Sequence, residues 1–175
     1  MGKAIPRKVI VYLYGFMERM KLKINEEKSR MVRAEEEAFE FLGFAIRYDK
    51  DLYGRRVRYW NVCPSKKSEK RIREKLTEVL KANGHLSPEK LVTEINPVIR
   101  GWLNYFTIPK VSYVQKAKRK LRYYLMEKIG RYYRRKSQRK SKLYSLGAYK
   151  MLVDKYSLID PWYYSGKMAL ANAFG

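Results

Sequence analysis

The chain has 175 residues, enough for one ordinary domain or a small domain with an elongated appendage, and too few for two large independent domains. Forty Lys and Arg against 17 Asp and Glu give a formal charge of +23, which points to a polyanionic partner, nucleic acid first. The 46% hydrophobic and 14% aromatic contents argue against disorder, and a single Cys63 and a single His85 exclude a disulfide framework or a Cys/His zinc site within one chain.

No apolar run is long enough to span a bilayer. The opening Met-Gly-Lys-Ala-Ile-Pro lacks the apolar core of a secretory signal, and Pro6 stands where N-myristoylation needs Ser or Thr. No membrane partner and a reducing, cytoplasmic setting are expected.

In chain order, Val9, Leu13, Phe16, Met17 and Met20 recur at helical spacing and predict an amphipathic helix over 5–22. Lys23 to Lys28 has turn chemistry, and 29–33 suits a short strand. The run from Phe39 is apolar on nearly both faces, as in a covered strand, and Gly43 within it suggests a bulge or a close backbone approach. Strands 39–48 and 56–62, joined by the loop residues Asp49 to Gly54, predict a β-hairpin that Pro64 closes.

Beyond Pro64 every segment reads as helical. Ser65 caps a helix with the stripe Ile72, Leu76, Val79 and Leu80, ending near Asn83-Gly84. Ser87-Pro88-Glu89 starts a second, and Asn96-Pro97 restarts the chain into a third, with Val98, Ile99, Trp102, Leu103 and Phe106 on one side until Pro109. The longest helix is expected from Val111 to Lys136, with Val114, Leu121, Leu125 and Ile129 inward. A basic linker at 138–142, a last helix at 144–156 and the aromatic cluster Asp160-Pro161-Trp162-Tyr163-Tyr164 complete the chain.

Catalytic chemistry finds little support. Two-metal sites need closely held carboxylates, and the aspartates are Asp49, Asp51, Asp154 and Asp160, of which the first two sit in a turn-like stretch. Cys63 has no adjacent base, and no Gly-rich phosphate loop of standard spacing occurs. No metal, no cofactor and no catalytic residue are expected in this chain by itself.

Binding signals are stronger. Between 116 and 142 stand Lys116, Lys118, Arg119, Lys120, Arg122, Lys128, Arg131, Arg134, Arg135, Lys136, Arg139, Lys140 and Lys142, with Glu127 the one acid. A solvated charged face is normally balanced by opposite charge, and this one is not. Tyr123, Tyr124, Tyr132 and Tyr133 lie among these cations, so rings could stack on bases while Arg and Lys hold phosphates; core packing is the competing use of each ring. A second basic group, Lys66, Lys67, Lys70, Arg71, Arg73 and Lys75, has Glu69, Glu74 and Glu78 at hand for intrahelical pairs. Trp102 and Phe106 are assigned to the core, with Arg100 and Tyr105 as further candidate RNA contacts.

Three segments taken in order resemble the C-terminal part of group II intron-encoded reverse transcriptase/maturases. Leu22-Lys23-Ile24-Asn25-Glu26-Glu27-Lys28-Ser29, then Phe39-Glu40-Phe41-Leu42-Gly43-Phe44, resembles the last two reverse-transcriptase motifs. Pro64-Ser65-Lys66-Lys67-Ser68, Leu86-Ser87-Pro88-Glu89 and Asn96 to Phe106 resemble the thumb and maturase-specific region that follows. The resemblance spans roughly residues 20 to 140 and thins beyond 142. It implies that Lys28 matches the lysine of the penultimate palm motif, that Phe41, Leu42, Gly43 and Phe44 belong to a primer-grip-like hairpin, and that the helices bind intron RNA. It also implies that the chain starts after the family's Tyr-Ala-Asp-Asp motif, as an expressed fragment or a natural truncation, so that DNA synthesis by these residues alone is not expected.

The expected fold class is α+β, with a palm remnant of one helix and a β-hairpin over 1–63, a helical thumb and maturase-specific domain over 64–142, and a helix with an aromatic tail over 143–175. The expected function is RNA binding that assists group II intron folding and splicing. Two alternatives are a non-catalytic part of a split polymerase, gripping an RNA/DNA template-primer beside a partner chain that carries the palm, and a general structural RNA-binding protein.

Overall fold

The computed structural model describes residues 7–23, 25, 32–33, 35–50, 57–83, 85–136 and 147–165. The chain is α+β: among the described residues, five helices accompany one three-stranded antiparallel sheet. In order these are α1 (Arg7–Arg19), β1 (Phe39–Phe41), β2 (Phe44–Lys50), β3 (Arg58–Pro64), α2 (Lys66–Ala82), α3 (Pro88–Phe106), α4 (Gln115–Lys136) and α5 (Ala148–Tyr156), with sheet order β1-β2-β3. The chain divides into two compact units, Met1–Phe39 with Arg47–Trp60, and Glu40–Ile46 with Asn61–Gly175.

The second unit holds the main core. Ile72, Leu76 and Leu80 of α2, Leu91, Ile95, Ile99 and Leu103 of α3, and Leu121, Leu125, Ile129 and Tyr133 of α4 each repeat every fourth residue and close on one another. Ala148, Tyr149 and Leu152 of α5, followed by Leu158, complete the cluster. Ser65 caps α2 as expected, its Oγ accepting from the Ser68 N–H at 3.2 Å, and Ser87 with Pro88 opens α3.

Two elements differ from the sequence reading. Asn96-Pro97 does not restart the chain: α3 runs unbroken from Pro88 to Phe106 with Pro97 inside it. An interior proline costs a helix about 3 kcal/mol. Here the buried stripe Leu91, Ile95, Ile99 and Leu103 lies on both sides of Pro97, and its packing outweighs that cost. The expected strand 39–48 is instead β1 and β2, separated by the two-residue turn Leu42-Gly43. Both turn residues have positive φ, 48° and 81°, the pattern of a type I′ hairpin.

Shorter differences concern helix bounds. α4 begins at Gln115 rather than Val111, because Ser112 ties the preceding turn: its Oγ accepts from the Ile108 N–H at 2.8 Å and donates to the Phe106 carbonyl at 2.7 Å. α5 begins at Ala148, residues 144–146 lying outside the described ones. The expected strand 29–33, the matched Lys28 and the linker 138–142 also fall mainly or wholly outside them.

In the first unit, α1 is amphipathic by sequence yet exposes Val9, Leu13 and Phe16. Tyr48 packs against Trp60 with ring centroids 5.0 Å apart, and Arg58 lies over the Tyr48 ring. Asp49, one of the two carboxylates considered for a metal, accepts from Arg47 at 3.1 Å.

Candidate nucleic-acid interface

α4 carries the densest positive charge, and its 3.6-residue period sorts that charge by direction. Val114, Ala117, Leu121, Leu125, Ile129 and Tyr133 face inward. Lys116, Arg119, Tyr123 and Arg134 lie on the opposite side, spaced three, four and eleven residues apart, and all are exposed. Among the described residues, Lys116, Arg119 and Arg134 form no ion pair; Arg134 donates from Nε to the Gly130 carbonyl at 3.2 Å. Arg131 pairs with Glu127 one turn earlier on the same helix.

Three other α4 cations, Lys118, Lys120 and Arg122, are engaged by the fold. Lys120 donates to both Glu69 oxygens of α2, at 2.9 and 3.0 Å. Arg122 Nε meets Asp160 Oδ2 at 2.9 Å, and the Asp160 side chain is only 7% exposed. Burial works against the Arg122 charge, but the Asp160 carboxylate outweighs it and holds the guanidinium above its ordinary pKa. Burial, with Asp160 adding to it, pushes the nearby Tyr149 hydroxyl up as well. Lys118 is buried and donates to the Tyr164 carbonyl at 2.7 Å, and burial lowers its pKa. Arg122 and Lys120, both sequence candidates for RNA contact, thus have partners inside the protein, and Lys118 is a structural lysine within a basic run.

The tyrosines divide in the same way. Tyr133 is 1% exposed and belongs to the core. Tyr132 packs edge-on against it, and Tyr124 bridges α4 to α2 by hydrogen bonds to Thr77 Oγ1 and the Arg73 carbonyl. Tyr123, 62% exposed, is the ring of the four that is open to a base.

Around α2, Lys66, Lys67 and Lys70 are exposed near the helix start. Lys70 pairs with Glu74 and Lys75 with Glu78, as the spacing predicts, whereas Glu69 turns across to α4 instead. Arg100 is exposed on α3. The side chains of Arg135 and Lys136, and all of Arg139 and Lys140, lie outside the described residues.

The turn at Leu42-Gly43 is held from the helical side. The Gly43 carbonyl accepts from Ser68 Oγ at 2.8 Å and from the Ser65 N–H at 2.9 Å, and the Leu42 carbonyl accepts from the Tyr105 hydroxyl at 2.9 Å. Tyr105 therefore braces this turn, its ring stacked on Phe44 at 5.7 Å. A Cβ on Gly43 would stand 2.8 Å from Ser68 Oγ, so the close backbone approach read from the sequence is real, within a turn and not a bulge. Phe44 is buried against Phe106, while Phe41 and Leu42 point their apolar side chains to solvent.

Sequence reasoning missed the polar ties of segment 157–164. Asn96 donates to the Ser157 carbonyl at 3.0 Å and accepts from the Ile159 N–H at 2.9 Å, and Tyr164 donates to Asn104 at 2.9 Å. One signal was available: Asp160 is an isolated acid beside aromatic residues in a strongly basic chain.

Residues 69–147 match the group II intron, maturase-specific domain. No curated protein matches the chain. The match opens in the first turn of α2 and ends at the residue before α5, so the palm-like segment upstream rests on resemblance alone. Over these residues the chain is similar to the maturase-specific domain of group II intron proteins, a domain linked in that family to RNA binding and splicing.

Proposed function

We propose that the chain binds group II intron RNA through the outward side of α4 and helps that RNA reach its splicing-competent fold in the cytoplasm. The observation that carries the reading is the stripe Lys116, Arg119, Tyr123 and Arg134, exposed and unmatched by acids among the described residues, on a helix that lies wholly within the maturase-specific match. Cations so placed release condensed counterions when they meet phosphates, so affinity falls steeply with salt. Arg131, Arg135, Lys136, Arg139 and Lys140 extend the run along the chain, and Lys66, Lys67 and Arg100 are further contacts on α2 and α3.

Competition of labelled group II intron RNA against an unrelated structured RNA of equal length, at one moderate salt concentration, tests the reading. Preference for the intron RNA is expected. Equal affinities would leave a general RNA-binding protein.

A second reading, a grip on an RNA/DNA template-primer beside a partner chain carrying a palm, draws on the braced turn with Phe41 and Leu42 outward. Tighter binding of a template-primer duplex than of intron RNA would favour it.

A further inference from the structure

The segment after α5 is built to display two aromatic rings. Pro161 is fully buried, and Asp160 accepts from the Trp162 N–H at 2.9 Å while it holds Arg122. On the far side, Tyr164 is fixed at both ends: its carbonyl accepts from Lys118 and its hydroxyl donates to Asn104. Between these anchors Trp162 and Tyr163 face solvent, Tyr163 at 74% exposure. Large rings displayed on so firmly tied a turn do not contribute to the core.

The guanidinium of Arg122 lies 5.6 Å from the Tyr163 ring centroid, over its face. One face of the ring is thereby backed by a fixed cation, and the exposure of the residue leaves ring surface to solvent. We propose that the turn at 160–164 is a base-stacking platform for unpaired RNA nucleotides, with Tyr163 as its principal ring and Trp162 beside it in sequence. The proposal rests on the RNA-binding reading and adds a site that lies outside the matched domain. Charge favours RNA over a protein partner: the turn docks on α4, where Arg119 is exposed, and the whole chain carries +23. Stacking on a tyrosine backed by arginine accepts any base and needs the nucleotide free of a duplex.

The test compares the full chain with its Tyr163→Ala, Tyr163→Phe and Trp162→Ala variants. Each is titrated with a hairpin RNA bearing a large unpaired loop and with a blunt RNA duplex of equal length, at several salt concentrations. Tyr163→Ala should weaken loop-RNA binding about five- to a hundredfold, the range that removal of one stacked base spans. Trp162→Ala should weaken it less, and Tyr163→Phe should bind as the unaltered chain does. Duplex binding and the salt slope should not change, since no phosphate contact is removed. The proposal is overturned if the Ala variants bind both RNAs normally, which would leave the rings as a protein-docking patch, or if loop and duplex affinities fall together. It is also overturned if Tyr163→Phe loses as much as Tyr163→Ala, because the hydroxyl and not the ring would then matter. Failure of the unaltered chain to bind either RNA would remove the RNA-binding reading itself, a result distinct from the others.

Discussion

On the sides of α4 that face α2 and the segment after α5, Lys118, Lys120 and Arg122 reach carbonyl or carboxylate partners within 3.0 Å. On its outward side Lys116, Arg119 and Arg134 reach no acid among the described residues. These residue types are interchangeable in composition, and in the structure they hold different offices. The engaged cations fasten α4 to its neighbours, and the unengaged ones keep a field that only an external polyanion can neutralise. A basic run is therefore an interface only where the fold does not use its charges.

The largest expected effect that separates the two sides comes from Asp160→Ala. Removing the acid leaves Arg122 partly buried and unpaired, and because that side chain is a third exposed the loss should be about 2–3 kcal/mol, below the figure for a fully buried pair. Urea unfolding would measure it, and the salt slope of RNA binding at folded conditions should stay as it was. Tyr124→Phe removes the α2–α4 hydroxyl bridge and should cost about 1 kcal/mol in the same assay.

Lys118 adds a pH dependence with a definite sign. Its folded pKa lies below the ordinary 10.5, so the unfolded chain holds the proton more tightly between the two values. Stability of the unaltered protein relative to Lys118→Met should therefore rise with pH as 10.5 is approached, and a difference flat with pH would count against a desolvated lysine at this position. The smallest effect is predicted for Arg134→Ala, whose stability should remain within about 0.5 kcal/mol of the original. RNA binding is where that substitution should register, as a salt slope lower by about 0.7–0.9.

Much of the helical body was legible in the sequence. Ser65, Ser87-Pro88 and the fourfold spacing of Leu91, Ile95, Ile99 and Leu103 are local signals, and the fold follows them. Pro97 misled because its local penalty is visible in sequence while the packing that offsets it is not. Leu42-Gly43 misled because a leucine at positive φ is uncommon, and the turn is held by Tyr105, Ser65 and Ser68 through bonds that span 22 to 63 positions.

The candidate interface was legible only as charge. Tyr123 and Tyr124 are adjacent and chemically identical, and helix phase sends one to solvent and the other to Thr77. Arg119 and Arg122 are separated in role by Asp160, 38 residues after the second of them. No short-range pattern carries that information.

The role proposed for the outward cations of α4 is to hold RNA phosphates. The most direct measurement is the salt dependence of intron-RNA affinity for the unaltered chain and for a Lys116→Ala, Arg119→Ala, Arg134→Ala triple variant, with folding checked by circular dichroism. A folded variant with weaker binding and a log–log slope shallower by about 2–3 is expected. An unchanged slope in a folded variant would contradict it and place the RNA-binding face elsewhere on the molecule.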